Sequence, residues 1–109
     1  MNKQRSATAE QIYRNDARLE VRSAGVRSEA NRRVSEKDLL WADIVYVMER
    51  EHKLWITTRF EGLDLPTIDV LDIPDEFEYM DAELQKMLKL MLDPDLAFRI
   101  AADSASSEV

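Results

Sequence analysis

Residues 44–48 of the chain, IVYVM, decide its fold class. The run is apolar at every position and rich in β-branched side chains, a pattern typical of a parallel strand buried on both faces. A second β-branched run, TIDVL at 67–71, predicts another strand. The amphipathic stretch 50–60 between them predicts a helix that stops near Gly62. Strand, helix and strand in this order predict an α/β fold with a parallel sheet.

Helix start and stop signals frame these two strands. Ser35 followed by Asp38 resembles a capping box and predicts a helix that runs through Trp41. Asp81 predicts the start of another helix, because the apolar residues after it recur at i, i+3, i+4 and i+7. Pro94 predicts a break in that helix, since proline lacks the backbone donor and clashes with the preceding turn.

The first part of the chain predicts a helix, then a strand. Ser6 is a good N-cap for a short helix over 7–13. The alternating stretch 19–23, LEVRS, predicts a strand that ends in a turn at Gly25. A helix of this kind normally begins where a buried strand delivers the chain to the carboxyl edge of the sheet. No strand precedes it here, so we expect one strand of the sheet to be missing ahead of Met1.

The charge of the chain is negative and unevenly spread. The net charge is −7, from 15 basic and 22 acidic residues. Residues 1–33 carry eight Lys or Arg against four Asp or Glu, whereas the rest carries seven against eighteen. The overall charge argues against a nucleic-acid partner. The basic first third fits an anionic ligand, although an ordinary solvated surface explains it equally well.

Composition also excludes several classes of site. The chain has no cysteine and a single histidine, His52. Disulfides, thiolate or histidine metal sites and a Ser-His-Asp triad are therefore not expected, and neither is a metal or other cofactor. No apolar run approaches the roughly 20 residues that span a bilayer, and no signal peptide is evident. We expect a cytoplasmic protein with no membrane partner.

A candidate anion site lies at the start of the chain. Residues 2–6, NKQRS, run directly into the helix predicted over 7–13. The first backbone N–H groups of a helix are free and its dipole favours an anion. Arg5 adds a planar fork that matches phosphate oxygens, and Ser6 could cap the helix or donate to a nucleophile. Taken alone, an Arg-Ser pair before a helix is usually just a cap.

A wider pattern resembles the low-molecular-weight protein tyrosine phosphatases. In that family a cysteine, five residues and Arg-Ser form the phosphate-binding loop, with an asparagine in its middle. Residues 2–10, NKQRSATAE, resemble the end of that loop and the following helix. The stretches SAG at 23–25, DIVYVME at 43–49 and IPDEF at 73–77 resemble later family segments in the same order. The resemblance covers about residues 2–92 and is closest to a shortened branch of the family.

The resemblance implies a three-layer α/β/α sandwich with a small parallel sheet in the order 2-1-3-4. The absent first strand would then be central. Residues 1–100 would form a single domain, incomplete at its N-terminus, followed by a disordered tail over 101–109. Loss of a central strand leaves two neighbours unpaired, so the chain is expected to be marginally stable and prone to association.

The resemblance also implies a function. Family members hydrolyse phosphotyrosine or aryl phosphate monoesters through a phosphocysteine intermediate. By carry-over, Asn2, Lys3, Gln4, Arg5 and Ser6 would bind the phosphate, with Arg5 as its clamp. Asp75 would be the general acid, with Asp72 as second candidate. The cysteine would lie two residues ahead of Met1, so this chain is expected to be inactive.

These residues also have non-catalytic interpretations. Asp75 could be an ordinary turn residue, because Ile-Pro-Asp-Glu is common turn chemistry. Phe77 and Tyr79 could line a phenyl site or belong to the core. His52 is expected to be solvated. The chain could also be a non-catalytic phosphate-binding module, or an interaction protein whose acidic surface docks a basic partner. The sequence leaves the oligomeric state undetermined.

Overall fold

The computed structural model describes residues 3–25 and 33–107. The chain contains four helices and two strands within the described residues. The elements, in order, are α1 (Lys3–Tyr13), α2 (Glu36–Trp41), β1 (Ile44–Val47), α3 (Arg50–Arg59), β2 (Thr67–Val70) and α4 (Ala82–Ser107). None of these helices is long and apolar enough to cross a bilayer.

The sheet is parallel, as the sequence predicts. β1 pairs with β2 in a register that sets Ile44 opposite Thr67 and Val47 opposite Val70. α3 makes the crossover that two parallel strands require. The α/β class, the two strands and the helix between them are therefore confirmed, within one residue of their predicted ends.

Two predicted helix starts are also confirmed. The Ser35 hydroxyl accepts from the backbone N–H of Asp38, and the Asp38 carboxylate accepts from that of Ser35 at 3.0 Å, which completes a capping box for α2. Asp81 accepts from the backbone N–H groups of Glu83 at 2.8 Å and Leu84 at 3.3 Å, and so caps α4. Such caps typically stabilise a helix by about 1 kcal/mol.

The strand predicted over 19–23 is wrong. These residues form no regular strand, and the nearest ladder contact in the described chain is a single parallel bridge between Gly25 and Arg33. A strand takes its backbone hydrogen bonds from a neighbour, and the described sheet contains β1 and β2 alone. Alternating apolar residues cannot form a ladder without that partner.

The N-cap predicted at Ser6 is wrong as well. α1 already begins at Lys3, so Ser6 lies inside the helix. Lysine, glutamine and arginine, which precede Ser6, are all good helix formers. Tertiary contacts also hold the early part of the helix, because the backbone N–H of Met80 donates to the Thr8 hydroxyl at 2.9 Å.

The helix break predicted at Pro94 does not occur. α4 continues through Pro94. The Tyr13 hydroxyl donates to Asp93 at 2.6 Å and the Tyr46 hydroxyl donates to Asp95, so contacts on both sides of the proline hold the chain in line. These contacts offset a cost of about 3 kcal/mol for proline inside a helix. α4 extends to Ser107, while the division into a domain over 1–100 and a tail stays a prediction.

Two hydrophobic cores lie on different elements. The first joins α1 to α4 and contains Tyr13, Met48, Ile73, Leu84, Leu88 and Leu92. The second packs α2 and α3 against the sheet and contains Leu39, Val47, Ile56 and Ile68. Both faces of β1 pack against a core, as expected: Val45 and Val47 belong to the second and Tyr46 packs against the first, although Val47 alone of the four β1 residues is fully buried.

A cavity of about 460 Å³ explains the incomplete burial of β1. It is lined by residues 18–24, by α1 and by all of β1. Much of its wall is apolar, including Ala9, Leu19, Val21, Val34, Leu39, Val45, Leu92 and Leu96. Within the described residues, β1 therefore has a paired edge toward β2 and no strand on its other edge.

Candidate active site

Arg5 is the most unusual side chain of the structure. It is 1% exposed, although arginine is almost never fully buried unless it is paired. Its Nη1 donates to the carbonyl oxygen of Ile73 at 2.5 Å and lies 2.8 Å from Oε2 of Glu49. Its Nε lies 3.7 Å from Oδ1 of Asp75. One guanidinium thus connects α1 to the segments that follow β1 and β2.

The parallel sheet explains why these residues meet. Glu49 follows the end of β1, while Ile73 and Asp75 follow the end of β2. The carboxyl ends of parallel strands share one edge, where ligands bind in open α/β sheets. The pairing also continues beyond the strands, because the backbone N–H of Ile73 donates to the carbonyl of Met48 at 3.0 Å. The first turn of α1 brings Arg5 to this edge.

The Arg5 guanidinium retains an unused donor. Its Nε is buried and has no hydrogen-bond partner among the described residues. The 3.7 Å separation from Asp75 is an ion-pair distance, too long for a hydrogen bond. A buried donor without a partner costs about 1–3 kcal/mol. An additional oxygen acceptor at this point would remove that cost.

The charges around Arg5 are unbalanced. One guanidinium faces two carboxylates, and the side chains of Glu49 and Asp75 are 37% and 38% exposed. Arg5 itself is out of water and does not line the cavity beside β1. Glu49 holds the position beside Nη1 that an anion would take. An anion that also takes Nη1 must therefore displace the Glu49 carboxylate, whose exposure leaves it free to turn toward solvent.

His52 is nearer to this site than the sequence suggests. Its side chain is 14% exposed and its Nε2 lies 4.0 Å from Oε2 of Glu49, so the expected solvated position is wrong. Ligand atoms of Glu49, Glu51 and His52 lie within 4.8 Å of one another, which is close enough for a metal ion. Arg5 already engages the Glu49 carboxylate and its positive charge opposes a cation there. We assign no metal to these residues.

The predicted phosphate-binding residues differ from a loop in conformation. Asn2 lies outside the described residues. Lys3, Gln4, Arg5 and Ser6 all lie in α1, and Ser6 is half-buried and lines the cavity. The helical backbone of residues 3–6 replaces the loop expected there. Their role as phosphate ligands stays a prediction.

The two candidate acids occupy different positions. Asp75 reaches the Arg5 guanidinium, whereas no contact between Asp72 and Arg5 occurs in the described part of the chain. Asp72 is exposed and has a φ of 57°, a left-handed conformation that asparagine and aspartate tolerate. The geometry therefore favours Asp75 over Asp72 as a partner of Arg5. The role of general acid stays a prediction.

Sequence reasoning missed the role of Glu49. The sequence places Glu49 at the end of the stretch 43–49 that resembles a family segment, and predicts no function for it. Its position directly after a buried parallel strand is the signal that could have found it, because such residues face the ligand edge. The two aromatic residues predicted to line a phenyl site or to belong to the core have different environments. Phe77 packs against the first core, whereas Tyr79 is 52% exposed.

No protein-family profile, curated protein or solved structure matches the chain. The resemblance of residues 2–10 and 73–77 to low-molecular-weight phosphatases therefore stays a prediction.

Proposed function

We propose that the Arg5 site binds the phosphate group of phosphotyrosine or aryl phosphate monoesters, as part of a phosphatase-like hydrolase domain. The observation that carries this proposal is the buried guanidinium of Arg5, whose Nε has no hydrogen-bond partner within residues 3–25 and 33–107. It lies in the first turn of α1, where helix amides and dipole also favour an anion. Arginine matches phosphate oxygens with paired donors, and bound phosphate would satisfy the unused Nε.

The proposed hydrolysis uses a thiolate nucleophile and a carboxyl acid. A cysteine attacks phosphorus, the aryl–oxygen leaving group takes a proton from Asp75, and a phosphocysteine forms. Asp75 then removes a proton from water, which attacks the phosphocysteine, releases phosphate and restores the thiolate. The reaction requires no metal or cofactor. This chain contains no cysteine, so it is proposed to bind phosphate esters without hydrolysing them.

A non-catalytic phosphate-binding module is the second candidate, and the absence of cysteine from the chain favours it. The two candidates share the Arg5 site and differ in whether a thiol joins it. A cysteine introduced beside Arg5 distinguishes the two candidates. A phosphatase-like domain should then hydrolyse the bound phosphate ester, whereas a binding module should still only bind it.

The three-layer sandwich belongs to the same proposal. The free edge of β1 and the apolar cavity beside it support an arrangement in which one more strand lies between residues 18–24 and β1. That strand would lead into α1 and complete a parallel sheet with helices on both faces. A cytoplasmic location is proposed as well, because the thiol chemistry requires a reducing compartment.

Phosphate titration of isotope-labelled protein tests the proposal. We expect inorganic phosphate and phenyl phosphate at millimolar concentration to shift the amide signals of residues 3–9, Ile73 and Asp75. Arg5→Gln should abolish these shifts, while Arg14→Gln, which changes an exposed arginine just beyond α1, should preserve them. Shifts of equal size in the Arg5→Gln protein would place the anion elsewhere and refute the proposal.

A further inference from the structure

The segment that connects β2 to α4, residues 71–81, is strongly acidic. It contains five acidic residues, Asp72, Asp75, Glu76, Glu78 and Asp81, and no basic ones. The nearest basic residues along the chain are Arg59 and Lys86, so no cation close in sequence compensates this charge. We call residues 71–81 the acidic segment.

Contacts at two points hold the acidic segment over the beginning of α1. The carbonyl of Ile73 accepts from Arg5, and the Asp75 carboxylate lies 3.7 Å from the same side chain. Further along, the backbone N–H of Met80 donates to the Thr8 hydroxyl at 2.9 Å. Residues 76–79 lie between these two points. The acidic segment therefore contacts α1 at both ends, at Arg5 and one turn further along at Thr8.

Two of the five carboxylates make side-chain contacts in the described part of the chain. Asp75 faces Arg5 and Asp81 caps α4. Asp72, Glu76 and Glu78 are exposed, and within the part of the chain that the structure describes they form no ion pair. Like charges placed together destabilise the folded state, and the same field concentrates cations near the surface.

The site thus combines two opposite signals. The buried, unpartnered Nε of Arg5 indicates an anionic oxygen ligand at the centre. The exposed carboxylates indicate cationic groups around it. A small aryl phosphate offers an oxygen to Arg5, but it has no cationic group for the carboxylates of the acidic segment, which repel its negative charge. A phosphorylated side chain with basic neighbours satisfies both.

We propose that the ligand is a phosphotyrosine peptide with Lys or Arg beside the phosphotyrosine. This inference rests on the proposed function of Arg5 and names the class of its ligand. The phosphate binds Arg5, and the flanking cations pair with Glu76 and Glu78 on the acidic segment. Tyr79, which is 52% exposed on that segment, offers a ring face to an arginine of the peptide.

Peptide binding to the full chain tests the inference. Three fluorescent phosphotyrosine peptides of equal length, with basic, neutral or acidic flanks, are compared by anisotropy. Exposed ion pairs contribute a few-fold each, so the basic peptide should bind about 10-fold more tightly than the neutral one. Raising the salt concentration to 0.5 M should reduce that ratio to near one, because exposed charges are screened.

Matched variants locate the effect. Glu76→Gln with Glu78→Gln removes two exposed charges from the acidic segment, and should abolish the preference for basic flanks. Glu61→Gln with Asp64→Asn removes two exposed charges at the opposite, amino end of β2, and should leave the preference intact. Because all four side chains are exposed, both variants should fold, which circular dichroism checks.

The outcomes separate this inference from the proposed function. Equal affinity for basic and neutral peptides, with inorganic phosphate still bound at Arg5, overturns the inference alone. A basic peptide that binds equally well without its phosphate overturns it too, since Arg5 would then have no part in binding. Arg5-independent binding of inorganic phosphate, or none, refutes the proposed function itself.

Discussion

The two edges of β1 behave differently. On one edge β1 pairs with β2, and Val47 and Ile68 are buried in the second core. On the other edge lies the cavity of about 460 Å³, and residues 19–23 beyond it form no strand although their sequence alternates as a strand does. The patterns at 44–48 and 67–71 thus form strands that pair with each other, whereas the pattern at 19–23 has no strand to pair with in the described residues. A strand pattern specifies a conformation that only a neighbour can stabilise.

The largest expected effect comes from filling the open edge. Extending the chain ahead of Met1 with a five-residue apolar strand, a cysteine and one further residue should order residues 19–23 as a strand and produce aryl phosphatase activity. Hydrogen exchange at 19–23 and turnover of an aryl phosphate measure the two effects. In the extended protein, Asp75→Asn should lower the rate about 10²–10⁴-fold, the usual contribution of a general acid.

Two controls accompany this prediction. Asp72→Asn should leave the rate of the extended protein nearly unchanged, because Asp72 does not contact Arg5 in the described residues. An extension with serine in place of the cysteine should order the strand without producing activity. If Asp72→Asn slows the reaction and Asp75→Asn does not, the general acid is Asp72. If the extended protein has no activity at all, the phosphatase mechanism is refuted.

The next effect compares a core residue of β2 with a cavity-lining residue of β1 by the same substitution. Ile68→Ala should lower the free energy of unfolding by about 2–5 kcal/mol, because Ile68 is 6% exposed in a packed core. Ile44→Ala, in β1, should cost less than about 1 kcal/mol, since Ile44 is half-buried and lines the cavity. Denaturant unfolding of both proteins measures the difference. Equal losses would show that Ile44 beside the cavity is packed as tightly as Ile68 in the core.

A third prediction concerns the hydrogen bond between Tyr46 and Asp95, which joins β1 to α4. Burial, and next the hydrogen bond to Asp95, raise the pKa of Tyr46 above its ordinary value of 10.0. The folded state therefore holds this proton more tightly than the unfolded state. The contribution to stability is fully present below pH 10 and falls as the pH rises above it.

Substitution tests the same bond. Tyr46→Phe should lower the free energy of unfolding at pH 7 by about 1.5–3 kcal/mol, the range for hydrogen bonds to charged groups. Above pH 10, the free energy of unfolding of Tyr46→Phe should fall less steeply with pH than that of the unaltered protein. Tyr79→Phe serves as the control, since Tyr79 is 52% exposed and should change neither quantity. An unchanged alkaline profile in Tyr46→Phe would contradict the assignment.

The smallest expected effect is at the carboxyl ends of the paired strands. Glu49→Gln should raise the affinity for inorganic phosphate about 10-fold, or about 1.4 kcal/mol, because it removes the carboxylate that competes for Arg5. Glutamine still offers an oxygen acceptor to Nη1, so the fold should persist. Glu51→Gln is the matched control. Isothermal titration measures both, and a weaker affinity in Glu49→Gln would show that Glu49 supports the anion site.

Local signals predicted much of the fold. The capping box of Ser35 and Asp38 and the cap at Asp81 formed as expected, because these bonds join residues two or three positions apart. α3 formed between β1 and β2 for a similar reason: two strand patterns with a helix pattern between them permit a single simple arrangement.

Signals that compete with tertiary contacts were less informative. Pro94 predicts a helix break, yet hydrogen bonds from Tyr13 and Tyr46 hold the residues on either side of it. Ser6 predicts an N-cap, yet α1 begins at Lys3. In both cases contacts with residues far along the chain outweighed a local preference of a few kcal/mol at most.

The sequence by itself determined the α/β class, the two paired strands and the caps of α2 and α4, because hydrophobic periodicity and short-range hydrogen bonds are encoded within a few residues. Tertiary structure alone decided the irregular backbone of residues 19–23 and the set of groups that contact Arg5. Glu49 and Asp75 lie 44 and 70 positions from Arg5 along the chain. They meet because parallel strands bring their carboxyl ends to one edge, and that pairing is a property of the folded chain rather than of any local stretch.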